Sequence, residues 1–298
     1  MDIRDFESFL EGAGHRVIRT RSASWFDAGK RFFLSIPAHR ALLPKREELR
    51  EVLREGGALG VRFPAPLTAP GRLSYQIVCD NSAYGFESLS SNVRSKVRRG
   101  LRRCRVESVS FQVLSELGRT ADRDTRARQG RSGSSSEAHW HRYWESAARA
   151  RCMEGWAAWV GDELAAYLVT VRFEDSVEFL LARSRSDRLD HYPNNALIFE
   201  VARLMLTERK VAQITFGLES LEEVDSLEEF KMGMGFTRRP VRQCVVFREP
   251  LGTLLSIGPV RAVIHRLGAS SRPSRTFWRK ALGLLRFAEE TSYVGAEG

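Results

Sequence analysis

The sequence predicts an α/β protein in which a mixed, twisted sheet is flanked by helices, and two stretches carry this prediction. In the first, SVEFLLARS, IFEVARLMLTERK and AQITFGLES follow one another as a strand, a helix and a second strand. Such an order is the βαβ unit of a parallel or mixed sheet. In the second, WAAWVGDELAAYLVTVRFEDSVEFLLARS has three apolar runs separated by short turns, which predicts a meander. Ligands of such sheets bind where strands end, so the loop 183–195 and the segment after Phe216 are the first candidates for a functional site.

The elements before the meander alternate between helices and strands. DIRDFESFLEGAG predicts a short helix, and PKREELREVLREGG predicts a second helix with Pro44 in its first turn. RVIRTR, RFFLSIP, GVRFP and LSYQIVCD have the composition of strands, and VSFQVL alternates in the same way. EAHWHRYWESAARARC then predicts a helix with Trp140, Trp144 and Ala147 directed inward.

A polar segment divides the chain. Residues 119–136, RTADRDTRARQGRSGSSS, are rich in charged residues, glycine and serine, which predicts a linker or mobile loop. The predicted organisation is therefore an N-terminal αβ domain at 1–118, this linker, a second domain at 137–250 and a basic helical tail at 251–298. The tail contains two amphipathic segments, which would either pack against the body or lie on an anionic membrane.

Length and composition exclude several classes of protein. A chain of 298 residues fits one large domain or two modest ones. It has no run of 18 apolar residues, and its first residues include acids, unlike a signal peptide. The four cysteines, Cys79, Cys104, Cys152 and Cys244, are far apart and form no CxxC pair, which argues against a zinc site and a disulfide framework. We therefore expect reduced thiols, a cytoplasmic setting and no metal.

Positive charge is concentrated in two segments. The net charge is +10, residues 94–105 contain seven basic residues and no acid, and residues 251–298 contain seven basic and three acidic residues. The first segment lies in FESLSSNVRSKVRRGLRRCRVES, which predicts a helix with one apolar stripe. Such concentration indicates an anionic partner, although a solvated helix face is the alternative. The candidate substrate- or phosphate-binding residues are Arg94, Lys96, Arg98, Arg99 and Arg102.

The order of elements in the second half resembles the core of the GNAT acyltransferase superfamily, and its Fem-like branch is the nearest likeness. That branch includes peptidoglycan peptidyltransferases and acetyltransferases of polysaccharide gene clusters. LSSNVRSKVRRGLRRCRVE is similar to a Ser/Arg-rich helix of these proteins, and FGLESL…LEEFKMGMGF is similar to their Phe/Tyr-Lys-x-x-x-Gly ending. The resemblance covers roughly residues 70–250. It implies a GNAT-like mixed sheet, favours two GNAT-like halves, and implies direct acyl transfer in a ternary complex.

The chain departs from the acetyl-CoA-binding members at one turn. Where those members carry Gln/Arg-x-x-Gly-x-Gly/Ala, residues 183–195 contain no glycine. Fem-like members also tend to lack this turn, so the donor stays open among acyl-CoA (acetyl-CoA first), aminoacyl-tRNA and another activated acyl group. Arginines would supply charge to phosphates, and asparagines would cap the following helix and leave N–H groups facing an anion. The candidate donor-binding residues are Arg183, Arg185, Arg188, Asn194 and Asn195.

Acyl transfer requires a base for the nucleophile, a donor to the oxyanion and an acid for the leaving group. Glu219 follows the strand ITFG and is the first base candidate, with a cap or a salt bridge as its alternative role. Lys231 matches the family's lysine, which the resemblance places near the reacting carbonyl; a solvated helix lysine is the alternative. His191 could shuttle a proton and Tyr192 could donate to a leaving group, or both could be ordinary loop residues.

The leading hypothesis is an acyltransferase that modifies an amine or hydroxyl of a polar small molecule, such as a sugar or a glycan precursor of the cell envelope. The second is aminoacyl transfer from a charged tRNA, with the basic helix on the RNA backbone. The third is a non-catalytic, degenerate GNAT protein that binds nucleic acid or an anionic membrane. We expect a cytoplasmic protein, and the tail allows peripheral contact with the inner membrane face.

Overall fold

The computed structural model describes residues 3–29, 31–130, 136–221, 225–249, 251, 266 and 275–288, with the backbone alone at 225 and 275–280. The helices are α1 (Ile3–Gly12), α2 (Arg46–Glu55), α3 (Ser91–Arg103), α4 (Phe111–Leu117), α5 (Arg119–Arg128), α6 (Glu137–Arg149), α7 (Pro193–Arg203), α8 (Asp225–Gly233) and α9 (Arg275–Ala288). The strands are β1 (Val17–Arg19), β2 (Ser24–Asp27), β3 (Phe32–Ile36), β4 (Gly60–Ala65), β5 (Arg72–Cys79), β6 (Arg105–Val109), β7 (Met153–Val160), β8 (Glu163–Phe173), β9 (Ser176–Ser184), β10 (Gln213–Leu218) and β11 (Thr237–Phe247).

The chain divides into two compact units, each assembled from three separate segments. Unit 1 contains Met1–Gly14, Ile77–Gly217 and Asp225–Arg238, and unit 2 contains His15–Gln76, Leu218–Val224 and Arg239–Gly298. Both units are discontinuous in sequence, whereas the sequence suggested a linear division into 1–118 and 137–250. The correspondence of those two ranges to two GNAT-like halves stays a prediction.

Unit 1 contains the predicted meander and the predicted βαβ unit. Its strands lie in the order β10–β9–β8–β7–β6; β6 to β9 pair antiparallel, whereas β9 and β10 are parallel and joined by α7. Tyr167 and Phe173 lie on one face of β8, where Tyr167 packs against Trp144 of α6 and Phe173 against Phe6 of α1, with ring centroids 5.8 and 5.2 Å apart. Helices α1 and α6 therefore cover the same face of this sheet, and the predicted mixed α/β architecture is confirmed.

Unit 2 has its strands in the order β1–β2–β3–β4–β11–β5. β3 and β4 are parallel and are connected through α2, while β2 pairs antiparallel with β1 and β3, and β11 pairs antiparallel with β4. The apolar face of α2, formed by Leu49, Val52 and Leu53, is buried as predicted. It joins a core that includes Trp25 and Phe63, whose rings meet edge to face. Strand β2 was not predicted.

The predicted linker is wrong over most of its length. Residues Arg119–Arg128 form α5, in which Ala121, Asp122 and Thr125 are buried. This helix buries only one small residue and two polar ones, because its contacts are hydrogen bonds and ion pairs. Its composition is therefore as polar as that of a loop, which explains the wrong prediction. Residues 131–135 of the predicted linker lie outside the described part of the chain.

The predicted strand VSFQVL is also wrong beyond its first residue, Val109. β6 ends at Val109, and Phe111–Leu117 is helix α4. The hydroxyl of Ser110 accepts a hydrogen bond from the backbone N–H of Val113, so Ser110 caps the helix and ends the strand.

The second predicted tail helix is confirmed by the backbone of α9, whereas the first lies outside the described residues. Within unit 2, Phe287 and Leu285 of α9 are buried. Membrane contact through the tail stays a prediction. Among the helices of the described ranges, none has both the length and the apolar character that a membrane span requires.

Helices α3 and α7 approach closely at Gly100. A Cβ atom at this position would lie 2.8 Å from the carbonyl oxygen of Tyr192 and 3.1 Å from the Cβ of Ala196. We expect Gly100→Val to lower the free energy of unfolding by about 1–3 kcal/mol, because the added atoms overpack this contact. Ser95→Val, at an exposed position of the same helix, is the control for β-branching. Urea unfolding measures both; an equal loss in the two variants would contradict the packing argument.

Candidate functional site

The parallel strands β9 and β10 separate part of the way along their length. They pair only at Gln213↔Ser176, Ile214↔Val177 and Thr215↔Glu178, although β9 continues to Ser184 and β10 continues through Phe216 and Gly217. The pairing of β9 with β8 also shifts here, because Val169 pairs with Leu181 and Thr170 with Phe179, so that Leu180 is skipped. We call the space bounded by residues 179–184 and 216–217 the β9–β10 gap. Backbone groups that face the gap have no partner on the opposing strand, but some are bonded elsewhere: the Ser184 N–H and carbonyl to Thr125, the Ala182 carbonyl to the Arg183 side chain and the Gly217 N–H to Thr215 Oγ1. The remaining groups are available to an extended ligand.

Glu178 occupies the last paired position before the gap. Its side chain is half-buried, and it makes no hydrogen bond or ion pair with any residue that the structure describes. Burial raises the pKa of this carboxyl to about 7, because the charged form loses water without gaining a partner. Glu178 lies opposite Val171 of β8 and so shares the sheet face covered by α1 and α6. A carboxyl that titrates near neutral pH at a strand end is suited to general acid–base chemistry.

The sequence reasoning did not select Glu178. The available signal was a single acid within the apolar strand SVEFLLARS. A carboxylate flanked by apolar strand residues has to be solvated, paired or functional. The sequence alone does not reveal that the neighbouring strand departs at this residue.

Lys231 lies beside the opposite face of the same strands. Its Nζ is 4.8 Å from the ring centroid of Phe216, which packs on Phe179 and Phe236 with centroids 5.3 and 4.8 Å away. The ammonium makes no hydrogen bond with the described residues. Burial lowers the pKa of Lys231, although Glu228 opposes this shift. The predicted lysine is therefore a half-buried cation placed against a gap residue, rather than a solvated helix lysine.

The start of α7 differs from the prediction that an asparagine caps it. The N-cap is Tyr192, in the left-handed conformation with φ 58°, and it makes no side-chain cap bond. Asn194 donates through Nδ2 to Ser184 Oγ at 2.9 Å, and Asn195 is buried with Nδ2 3.9 Å from the sulfur of Met234. The reason is Pro193, which takes the first helical position and moves both asparagines inside the helix.

His191 and Tyr192 lie in the loop before α7. Nε2 of His191 is 3.7 Å from a carboxylate oxygen of Asp190, and its buried Nδ1 has no hydrogen-bond partner among the described residues. The ring of Tyr192 lies under the guanidinium of Arg99, 4.5 Å from its centroid. A catalytic role for either residue stays a prediction.

Each of the three loop arginines that were expected to bind phosphates is paired with a carboxylate. Arg183 donates to Asp122 at 2.7 Å in a nearly buried pair. Arg185 is held by both oxygens of Asp187, at 3.0 and 2.7 Å. Arg188 pairs with Glu163. A phosphate at these arginines has to displace an existing anion, so their donor-binding role stays a prediction.

Helix α5 fixes the end of β9. The hydroxyl of Thr125 donates to the Ser184 carbonyl and accepts from the Ser184 N–H, at 3.1 and 2.8 Å. Arg128 donates to the same carbonyl at 2.9 Å and to Ser184 Oγ at 2.8 Å. These bonds hold one wall of the β9–β10 gap, and they explain why residues that looked like a linker form a helix.

The basic residues of α3 divide into engaged and unengaged side chains. Arg94 pairs with Glu87 at 3.3 Å, and Arg98 lies over the ring of Phe86, 5.3 Å from its centroid. Lys96 and Arg102 make no hydrogen bond or ion pair with residues of the described ranges. Only part of this helix is therefore available to an anionic partner in the form that was predicted.

Glu219, the first base candidate, lies in unit 2 within a hydrogen-bonded network. Ser74 Oγ donates to one carboxylate oxygen at 2.7 Å, and Arg286 approaches the other at 3.1 Å. Gln243 donates to Ser74 Oγ at 2.9 Å and accepts from Arg62, which also donates to the Glu219 carbonyl at 2.6 Å. Burial lowers the pKa of Arg62 to about 10, although Glu219 opposes this shift. Both oxygens of the carboxylate thus have partners, as in the salt-bridge alternative.

The described residues contain no group of three or more His, Cys, Asp or Glu side chains that is arranged to hold a metal ion. All four cysteines are buried and unpaired, and burial raises the pKa of Cys104 and Cys244 to about 11 and 12. A buried thiol of raised pKa is a poor nucleophile.

Comparison with known proteins agrees with this architecture. The model of an acetyltransferase (GNAT) domain matches residues 91–232. The crystal structure of FemX superimposes with a TM-score of 0.60 over 84% of this chain and 93% of FemX, at 10% identity. The C-terminal domain of a putative lysylphosphatidylglycerol synthetase from Agrobacterium fabrum superimposes with a TM-score of 0.54 over 86% of this chain and 91% of that domain, at 12% identity. L-PGS from Bacillus licheniformis superimposes with a TM-score of 0.52 over 89% of this chain and 96% of L-PGS, at 15% identity. Identities this low establish a shared fold alone, and no curated protein sequence matches the chain.

Proposed function

We propose that this chain is a member of the GNAT superfamily, because the model of a GNAT acetyltransferase domain matches residues 91–232 and the chain shares its fold with FemX. We further propose that it transfers an acyl group from acyl-CoA, most simply acetyl-CoA, to an amine or hydroxyl of a polar small molecule. A sugar or a glycan precursor is the acceptor class. The observation that supports this proposal most directly is the β9–β10 gap, with the unpartnered Glu178 at its closed end.

The two faces of the gap carry different chemistry. Glu178 lies on the face shared with Val171, and Thr215 of β10, its pairing partner, lies on that face too. Phe216 follows Thr215 and so points to the opposite face, where Lys231 lies beside it. Direct transfer needs acceptor and donor bound together, with the reacting atoms in contact. We propose that the acceptor approaches on the Glu178 face and that the activated acyl group enters the gap from the Lys231 face.

Glu178 and Lys231 then have complementary roles. The carboxylate of Glu178 takes the proton from the attacking amine or hydroxyl, for which a pKa of about 7 is well matched to neutral pH. The ammonium of Lys231 stabilises the negative charge that develops on the carbonyl oxygen. Neither step requires a covalent enzyme intermediate.

The gap fits the acyl arm of an acyl-CoA better than the rest of the site fits its phosphates. An amide-containing chain would hydrogen-bond to the open strand edges as an added strand does. The diphosphate would need Arg183, Arg185 or Arg188, and each of these is paired with a carboxylate. This mismatch favours aminoacyl-tRNA as the second candidate donor, with Lys96 and Arg102 of α3 as free cations for the RNA backbone.

Binding measurements on the full chain separate these donors from a non-catalytic role. Acetyl-CoA at saturating concentration is expected to raise the melting temperature, as any ligand of the native state does. Mass spectrometry would then follow acyl transfer onto a panel of amino sugars and sugar alcohols. Binding of aminoacyl-tRNA without binding of acetyl-CoA would support the second donor. Failure of both, with intact folding, would leave the non-catalytic alternative.

We expect Lys231→Met to lower kcat by about 10²–10³-fold while changing the Kd for the acyl donor less than threefold. The variant keeps an unbranched chain over the ring of Phe216 but removes the charge that stabilises the oxyanion. Folding should be preserved or improved, because the half-buried ammonium makes no hydrogen bond with the described residues. Unchanged kcat would contradict a role for Lys231 at the reacting carbonyl, and a loss confined to donor affinity would assign it to phosphate binding.

A further inference from the structure

Unit 2 contains a basic groove of about 350 Å³ between α2 and the C-terminal end of β11. Arg46, Arg50 and Arg54 of α2 line one side, and Arg248 contributes from the residue after β11. The three helix arginines are four residues apart, so they lie in a single row on one face of α2. Glu249 is the only acid in the lining, which leaves a net of three positive charges.

Three of these four arginines have no side-chain partner in the part of the chain that the structure describes, in contrast to the loop arginines of unit 1. Arg46, Arg50 and Arg248 make no hydrogen bond or ion pair with any side chain in the described ranges, and Arg54 has only an exposed contact with Glu55 at 3.6 Å. Like charges at this spacing on a helix repel one another. A bound anion would relieve this repulsion and would accept several charge-assisted hydrogen bonds.

The floor of the groove is apolar. Leu49 and Leu53 of α2 are buried, and Val246 and Phe247 of β11 are half-buried. A volume of about 350 Å³ is that of a small-molecule site, rather than of a track for a polymer. Phe247 already meets Phe32 edge to face, with centroids 5.7 Å apart, so it offers no open platform on which a nucleic-acid base could stack.

We propose that this groove binds a single phosphate-headed amphiphile. The arginine row and Arg248 hold the phosphate, and the floor of Leu49, Leu53, Val246 and Phe247 holds the first part of the apolar chain. The site does not depend on the proposed transfer reaction, because none of its residues belongs to the β9–β10 gap.

Dihexanoyl phosphatidic acid, below its critical micelle concentration, is the probe for isothermal titration of the full chain. It is expected to bind at least about tenfold more tightly than inorganic phosphate, because only the amphiphile buries apolar area on the floor. The double variant Arg46→Gln/Arg50→Gln is expected to weaken its binding at least about tenfold. Arg16→Gln removes one positive charge from an exposed position of unit 2 outside the groove, as Arg248→Gln removes one inside it, and it should change affinity less than twofold.

The remaining outcomes overturn the proposal. If inorganic phosphate binds as tightly as dihexanoyl phosphatidic acid, the apolar floor contributes nothing to binding. If the double variant binds the lipid as tightly as wild type, or if Arg16→Gln loses as much affinity as the double variant, the groove is not the binding site. Binding to vesicles that contain phosphatidic acid, without binding of the monomeric lipid, would show a membrane surface instead of a single molecule. Arg248→Gln, on a different element, repeats the test independently of α2, and circular dichroism confirms folding of each variant.

Discussion

Glu178→Gln is expected to reduce kcat for acyl transfer by about 10²–10⁴-fold, the range that general bases contribute. The substitution preserves shape and removes the only function that the geometry gives this side chain, which is to accept a proton at the closed end of the β9–β10 gap. Glu154→Gln is the matched control, because Glu154 is also a strand carboxylate but already pairs with Arg209 at 2.6 Å. Its kcat should stay within about twofold of wild type.

The pH dependence distinguishes a base from a structural carboxyl. The wild-type rate should rise with pH through about 7, where Glu178 loses its proton, and the residual rate of Glu178→Gln should lack this step. A rate profile that stays level between pH 6 and 8 in the wild type would contradict the assignment. So would a Gln variant with normal kcat.

The stability of the same variant should change in the opposite direction to its activity. The folded-state pKa of Glu178, about 7, lies above the ordinary value of 4.5, so the folded protein holds this proton more tightly than the unfolded chain. Wild-type stability therefore falls as the pH rises from about 4.5 through 7. At pH 8, the free energy of unfolding of Glu178→Gln should exceed that of wild type by up to about 3 kcal/mol, because each unit of pKa shift corresponds to about 1.4 kcal/mol. Urea unfolding measures this difference. A loss of activity with a gain of stability excludes misfolding as its cause.

The sequence predicted those parts of the fold that depend on local periodicity. The meander β7–β9, the helix α7 and the strand β10 each carry their own alternation or helical repeat, so their order resembled the GNAT domain whose model matches residues 91–232. Helix α5 was missed because its stabilising partners, such as Ser184 for Thr125, lie about 60 residues away in sequence. A hydrogen-bonding helix of this kind has no apolar stripe that a periodicity argument could detect.

The site was predicted only in part, for a related reason. Lys231 was selected from the sequence because a local motif marks it, whereas Glu178 became a candidate only from the place where β10 leaves β9. Arg183 and Arg188 looked free because their partners, Asp122 and Glu163, are distant in sequence. Charge counts along a chain identify candidates for anion binding, but only the folded pairing shows which cations remain available.

Glu219→Ala is expected to lower the free energy of unfolding by about 2–3 kcal/mol. It leaves Ser74 without its acceptor and Arg286 without its carboxylate, next to a buried Arg62 whose lowered pKa already reflects a cost of burial. Removing one partner of a buried pair costs about 3–5 kcal/mol, and the partial exposure of Arg286 reduces this value. Glu55→Ala is the control, because it breaks an exposed pair with Arg54 and should cost less than about 0.5 kcal/mol.

Glu219→Gln separates the structural role of this residue from the catalytic role that its position after β10 suggested. The amide still accepts a hydrogen bond from Ser74 but loses the charge that faces Arg286, so about half of the stability loss should remain. Because both carboxylate oxygens have partners, we expect kcat to stay within about tenfold of wild type. A loss of kcat as large as that of Glu178→Gln, with stability intact, would move the base to Glu219. The two variants together therefore decide which unit supplies the proton acceptor, since Glu178 belongs to unit 1 and Glu219 to unit 2.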